Sequence, residues 1–395
     1  MTILQPAFMV GVTGTNGKTS VTQWIAQALS ARGRKCALVG TLGNGFPGAL
    51  VPGPNTTPGA HVLREFLPES VRQGAQACAM EVSSIGLHQN RVAGIRFDVA
   101  VFTNLTRDHL EYHKTMEAYA AEKAKLFAWP GLGHAVLNLD DPFGRTLAAQ
   151  LAGRVATIGY TLESATGTDR VLRATDLSES SGDLAFTLDG MRFQAPVVGR
   201  FNAANLLAVI GALLAGGERL ADIAAVLRHI APPAGRMQPV GGDHAPLVVI
   251  DYAHSPDALE KVLTTLRGTA AARGGKLVCV FGCGGDRDPG KRPQMGAIAE
   301  RLADAVVVTS DNPRSENPQA IIEQILAGMT ARPAVEPDRA AAIHAAVAAA
   351  DTLDVILLAG KGHEPYQEIA GVRQPFSDLD SAKSALARRH QEHPC

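Results

Sequence analysis

Residues 14–19 read Gly-Thr-Asn-Gly-Lys-Thr, a spacing of glycine, lysine and hydroxyl that suits a phosphate. The run follows the apolar stretch AFMVGV at 7–12 and opens a stretch of helical pattern. Backbone N–H groups of the loop Gly14, Thr15, Asn16 and Gly17 and the helix N-terminus can surround a phosphate, while Lys18 neutralises it. Thr19 is placed to ligate Mg²⁺, and Ser20 completes the expected ATP-binding set. The strict GxxxxGK[ST] spacing needs glycine where Val12 stands, and Gly11 is one residue early. The loop is a variant, and its plainer alternative is a glycine-rich turn.

Three further residues complete a metal and phosphate cluster: Glu81 at the end of ACAMEV, His109 after VFTNLTRD, and Lys123 in YAAEKAKLF. A carboxylate and an imidazole at neighbouring strand ends suit divalent cations. Each also has an ordinary structural explanation. Glu81 can cap a helix, His109 can be a loop histidine, and Lys123 can lie on a helix surface.

These residues need a scaffold. The chain has 395 residues, 46% of them hydrophobic, enough for two or three domains with their own cores. Short β-rich runs at 7–12, 35–40, 77–82, 98–105 and 134–140 alternate with alanine- and leucine-rich helical stretches. Uninterrupted apolar strands between helices imply a parallel sheet covered on both faces, with ligands at the strand ends. Alternation between 168 and 198, with a turn at Asp189-Gly190, predicts an antiparallel hairpin excursion, followed by helices around 202–215 and 219–230. The Pro- and Gly-rich segment 231–246 reads as a hinge. Beyond it, apolar runs at 246–254, 276–285, 304–314 and 354–364 form a second α/β unit, and the alanine run at 340–350 is a helix.

Lys+Arg numbers 37 and Asp+Glu 38, so nothing electrostatic points to nucleic acid or an anionic membrane. The five cysteines, Cys36, Cys78, Cys279, Cys283 and Cys395, are odd in number and scattered, indicating neither a zinc site nor a disulfide framework. No run reaches the ~18 apolar residues of a membrane span, and the expected location is the cytoplasm.

GTNGKT, MEVSS, NLTRDHLEYH, YAAEKAKLF, GRFNAANLLA, DYAHSPDAL, GCGGDRDPGKRPQMG, DNPRSENP and GKGHE occur in this order over most of residues 10–380. Together they closely resemble the Mur ligases, and within them the MurE type that adds the third peptide residue of cell-wall precursors. The resemblance implies a P-loop-type central ATP-binding domain over 1–234 and a Rossmann-like amino-acid-binding domain over 235–395. It also implies an ATP-dependent amide ligase: a carboxylate attacks the γ-phosphate, and an amino acid then aminolyses the acyl phosphate. Lys18, with Mg²⁺ on Thr19 and a second Mg²⁺ on Glu81 and His109, neutralises the developing charge. In the family the lysine matching Lys123 is carbamylated, which turns a cation into a carboxylate-like metal ligand. Asn202, Asn205, Arg236, Asp251 and His254 match positions that handle the adenosine end or the catalytic closure.

The DNPR sequence at Asp311, Asn312, Pro313 and Arg314 is similar to the meso-diaminopimelate-adding branch, since a guanidinium holds a distal carboxylate that lysine lacks. Arg287, Gly360 and Glu364 complete that pocket, the glutamate receiving the distal ammonium. On the acceptor side, Asn55, Thr56, Thr57, Ser83, Gln89 and Arg91 match positions that contact the muramoyl-peptide portion. Ile85 departs from the pattern, which commonly has histidine there, and makes that contact apolar. The family also places a uridine-nucleotide-binding domain before the phosphate loop, whereas here MTILQPAF precedes it and reads as a natural N-terminus. The expectation is a smaller acceptor without the nucleotide, or a partner protein that supplies acceptor recognition. Two alternatives are a folylpolyglutamate synthetase-like ligase, against which DNPR and GKGHE speak, and an ATP-binding subunit without catalysis. Against the latter stand the intact Lys18, Glu81, His109 and Lys123.

Overall fold

The first strand, β1 (Phe8–Thr13), is buried along its whole length, as its unbroken apolar sequence requires. Its residues alternate between two cores: Phe8, Val10 and Val12 pack on one side of the sheet, and Met9 on the other. The computed structural model describes residues 3–180, 183–242 and 244–392; Cys395 and Asp243 of the hinge segment lie outside them. The chain divides into two units, residues 1–106 with 113–232, and residues 107–112 with 233–395.

In the first unit β1 lies inside a nine-stranded sheet with β2 (Cys36–Gly40), β3 (Gly43–Phe46), β4 (Ala49–Val51), β5 (Ala77–Glu81), β6 (Val99–Phe102), β7 (His134–Asn138), β8 (Ala156–Thr161) and β9 (Arg170–Arg173). The order is β4-β3-β2-β5-β1-β6-β7-β8-β9. Seven strands from β2 to β9 run parallel, and β3 and β4 add an antiparallel edge. That edge falls in a Gly- and Pro-rich stretch whose composition hides it. Helices Lys18–Ala31 and Arg200–Ala215 cover one face, and helices Ala60–Arg72 and Pro142–Leu151 the other. From β1 the chain continues to β2 on one side, and from the neighbouring β6 to β7 on the other, so the C-terminal ends of β1 and β6 flank a topological switch point.

The expected antiparallel excursion is present as β10 (Thr175–Ser180), β11 (Asp183–Leu188) and β12 (Met191–Ala195). Asp189 and Gly190 join the last two with φ of 48° and 74°, a type I′ turn matched to the twist of a hairpin.

The second unit holds a six-stranded sheet ordered β13-β14-β18-β15-β16-β17. Its strands are β13 (Gln238–Gly241), β14 (Leu247–Asp251), β15 (Leu277–Phe281), β16 (Ala305–Val308), β17 (Ala334–Val335) and β18 (Val355–Ala359). All but the edge strand β13 run parallel. A separate hairpin, β19 (Tyr366–Ile369) and β20 (Val372–Pro375), follows. Helix Arg339–Ala349 occupies the alanine run.

Candidate active site

The loop after β1 is strapped to the segment that follows β6. Thr15 N–H donates to the Asn104 carbonyl (2.8 Å), Asn16 N–H donates to Asn104 Oδ1 (2.9 Å), and Thr103 Oγ1 donates to the Asn16 carbonyl (2.6 Å). Gly17 has φ of 86°, and a Cβ there would collide with Asn205 Oδ1, so a glycine is required where helix Lys18–Ala31 starts. Lys18 Nζ folds back on the carbonyls of Gly14 and Thr15, 2.9 Å from each. Ser20 is buried in the first helical turn. Asn202 and Asn205, bonded to each other at 3.1 Å, lie in the first turns of helix Arg200–Ala215 beside Gly17.

Glu81 ends β5 with its side chain buried. Thr19 Oγ1 donates to its Oε2 (3.1 Å), as does Thr41 Oγ1 (3.1 Å), and Thr41 N–H donates to its Oε1 (2.9 Å). No cationic side chain among the described residues pairs with this carboxylate. A buried carboxylate flanked by hydroxyl groups at a phosphate loop is a hard-oxygen set that fits Mg²⁺, which keeps waters and phosphate oxygens in its remaining positions. Lys123, 1% exposed, reaches the same loop: its Nζ donates to the Gly14 carbonyl (2.8 Å) and lies 4.3 Å from the Tyr119 ring centre. Tyr119 Oη is 3.2 Å from Thr15 Oγ1. A carbamate at this nitrogen would still carry one N–H, the donor that the Gly14 carbonyl takes.

Most of the expected acceptor residues gather beside Glu81. Thr57 Oγ1 donates to the Glu81 carbonyl (2.9 Å) and accepts from Ser83 N–H (2.9 Å), while Thr56 Oγ1 is 3.0 Å from Thr41 Oγ1. Arg91 donates to the Thr57 carbonyl (2.7 Å) and to Gln89 Oε1 (2.6 Å). Asn55 is exposed, and Ile85 lies on the short helix Ser84–His88.

His109 belongs to the second unit, in a left-handed backbone conformation (φ 55°). Its Nε2 is 3.5 Å from Asp108 Oδ2, as is His254 Nε2, and Lys291 Nζ is 3.6 Å from Asp108 Oδ1. Burial alone would push the Asp108 carboxyl up, but the bond from His254 and the charges of His109 and Lys291 hold it well below its usual range. Arg107 forks onto Asp288 at 3.0 and 3.3 Å. Asp251 accepts from Met237 and Ala253 N–H groups at 2.8 Å each, and burial pushes its carboxyl up. Arg236 lies over the Tyr252 ring at 4.6 Å. Among the described residues no group of three or more His, Cys, Asp or Glu side chains is arranged to hold a metal.

The DNPR loop follows β16, and the hairpin β19–β20 backs it. Arg314, with φ of 52°, donates its N–H to the Glu368 carbonyl (2.9 Å) and Nη1 to the Gly285 carbonyl (2.6 Å). Gly284 separates the two arginines: a Cβ there would stand 2.9 Å from Arg314 Nη1 and 3.6 Å from Arg287 Cγ. The carbonyl of Pro313 abuts Gly285, and Gly360 N–H donates to the Asp251 carbonyl (3.1 Å) with Asp311 alongside. Asn312 Nδ2 donates to Glu364 Oε2 (2.7 Å).

A model of the Mur ligase middle domain matches residues 12–213, and one of the Mur ligase glutamate ligase domain matches residues 235–362. The chain belongs to the Mur ligase family. It is 58% identical over 380 residues to the UDP-N-acetylmuramoyl-L-alanyl-D-glutamate–2,6-diaminopimelate ligase of Chromobacterium violaceum, covering 96% of this chain and 77% of the relative. The ligase of the same name from Pseudomonas aeruginosa is 55% identical over 388 residues, covering 98% and 79%. A solved structure of a ligase with that name superposes with a TM-score of 0.67 at 39% identity, covering 98% of this chain and 80% of the other. MurF from Acinetobacter baumannii, at 17% identity and a TM-score of 0.69, covering 97% and 76%, shares the fold.

In this Mur ligase, residues that motif reading passed over also contact the site residues and loops named above. Thr41 directly follows β2 and holds Glu81; its position just past the end of a parallel strand was the available signal. Lys361 is fully buried, and its Nζ donates to Asn312 Oδ1 (3.0 Å) and Glu364 Oε2 (3.2 Å). Arg292 forks onto Glu316 at 2.8 Å from each oxygen and reaches the Gly284 carbonyl at 3.1 Å. Arg339 makes a fully buried bidentate pair with Asp378 (2.7 and 2.8 Å) and donates to the Ala359 carbonyl (2.9 Å), just ahead of Gly360. Nothing in the sequence near Arg339 marks that pair, whose members lie 39 residues apart.

Proposed function

We propose that this Mur ligase uses ATP to join 2,6-diaminopimelate to the carboxylate of UDP-N-acetylmuramoyl-L-alanyl-D-glutamate, in the cytoplasm. The observation that carries the amino-acid choice is the set of charged groups at the DNPR loop. Arg287 and Arg314 flank Gly284, and Glu364 accepts from Asn312 of that loop. Guanidinium groups and a carboxylate gathered on one loop suit an amino acid with both a distal carboxylate and a distal ammonium. The names of the relatives at 58% and 55% identity support the same reading, including the acceptor.

In this reading the loop 14–20 wraps the ATP phosphates, with Lys18 as counter-charge. Thr19, Glu81 and a carbamate on Lys123 would hold Mg²⁺, with His109 a metal ligand on the family pattern, and the ion would supply charge neutralisation. The acceptor carboxylate attacks the γ-phosphate and ADP leaves, with Lys18 facing the developing charge. Thr56, Thr57, Ser83, Gln89 and Arg91 orient the acceptor carboxylate. The amine of diaminopimelate, oriented by its far end on Arg314 and Glu364, attacks the acyl carbon, and phosphate departs. On the family pattern Asn202, Asn205, Arg236, Asp251 and His254 serve the adenosine end or the catalytic closure.

The test is phosphate release with ATP and Mg²⁺, offering diaminopimelate or lysine against the UDP-linked dipeptide or its nucleotide-free counterpart. Turnover with diaminopimelate and the UDP-linked acceptor is expected, at least about 100-fold faster than with lysine. Equal use of lysine sinks the amino-acid assignment. Better turnover of the nucleotide-free acceptor replaces the acceptor assignment by the smaller one.

A further inference from the structure

Lys361 lies three residues before Glu364 and is completely buried. A lysine removed from water needs oxygen partners, and those it has are instructive. Its Nζ donates to Asn312 Oδ1 (3.0 Å) and to Glu364 Oε2 (3.2 Å), with Asp311 Oδ1 at 4.0 Å. Glu368 N–H also donates to Asn312 Oδ1, at 2.9 Å. Two donors on one atom fix which end of the amide is oxygen, so Asn312 Nδ2 must face the other way. It does, and it donates to Glu364 Oε2 at 2.7 Å.

Both internal donors therefore meet the same oxygen of Glu364. No hydrogen bond or ion pair among the described residues engages Oε1, and the side chain is 16% exposed. We propose that Lys361 is a positioning residue for the amino-acid substrate: directly and through the orientation of Asn312, it pins Oε2 and presents Oε1 to the distal ammonium. This inference rests on the diaminopimelate reading above.

The experiment is steady-state kinetics of wild type, Lys361→Met, Glu364→Gln and the double variant, varying diaminopimelate and ATP separately. Lys361→Met is expected to raise KM for diaminopimelate about 10-fold or more, the scale of a lost charged hydrogen bond. Its kcat and its KM for ATP stay within about 2-fold, and the double variant is no worse than Glu364→Gln alone. Asn312→Asp keeps the lysine, replaces the Nδ2 donor by a carboxylate oxygen and so repels Glu364 Oε2, and is expected to raise KM for diaminopimelate as well. It carries the test if Lys361→Met does not fold. An unchanged KM in both single variants overturns the inference, as do penalties that multiply in the double variant. A wild-type enzyme that ignores diaminopimelate while turning over another amino acid overturns the functional reading first, and this inference with it.

Discussion

Lys123 Nζ donates to the carbonyl of Gly14 across 2.8 Å, so a lysine from helix Met116–Ala124 lies against the loop expected to hold ATP phosphates. The side chain is buried and the tyrosine one turn earlier braces it, with Nζ 4.3 Å from the Tyr119 ring centre. An ordinary surface lysine has no reason to be there. Lys123→Met is expected to lower ATP-dependent phosphate release at least about 100-fold. ¹³C-bicarbonate NMR of wild type should show a carbamate signal that the variant lacks. Retention of more than about a tenth of wild-type turnover would falsify the role given to Lys123.

Glu81 receives two hydroxyl groups and one N–H, and Thr19 is one of those hydroxyls. Glu81→Gln keeps the shape and removes the charge. The Mg²⁺ concentration for half-maximal activity is expected to rise about 10-fold or more, and Thr41→Ala to raise it less. A magnesium titration that superposes on wild type for Glu81→Gln rules out this carboxylate as a ligand.

Gly284 is open to a simple steric test. Alanine there places a methyl 2.9 Å from Arg314 Nη1, the far end of a flexible side chain, so the fold tolerates it and the guanidinium moves. KM for diaminopimelate is expected to rise about 10-fold, with a melting temperature near that of wild type. If KM stays put while the melt drops, Gly284 serves packing alone.

Arg339 and Asp378 are both fully buried and bound by two hydrogen bonds. Asp378→Ala strands a guanidinium inside the second unit. Urea unfolding is expected to show a loss of about 3–5 kcal/mol, the scale for breaking one side of a buried pair. A loss under about 1 kcal/mol contradicts it.

The Arg292 guanidinium beside Glu316 holds that carboxyl below its ordinary value of 4.5, against the opposing effect of burial. A carboxyl lowered in the folded state binds fewer protons there than in the unfolded chain. Its stabilisation is therefore present above pH 4.5 and lost as pH falls through the lowered value. Glu316→Gln is expected to flatten the acid limb of the stability curve below that pH, measured by thermal melts. An unchanged limb assigns it to other carboxylates.

The sequence alone determined what depends on near neighbours. The buried strands β1, β5 and β18 follow from unbroken apolar runs, and the hairpin from Asp189-Gly190, because side-chain period and turn chemistry act within a few residues. The phosphate loop is local in the same sense, as glycine, lysine and threonine stand together before a helix. The strands β3, β4, β19 and β20 are too short and too rich in turn residues or polar residues to show themselves that way. Tertiary structure decided which polar side chains meet. Glu81 reaches Thr19 over 62 residues and Lys123 reaches Gly14 over 109, while the motif lysine Lys361 is enclosed rather than solvated. A charged side chain spells the same in a sequence whether water or a carboxylate satisfies it. Only the folded chain, by removing water, selects the partner.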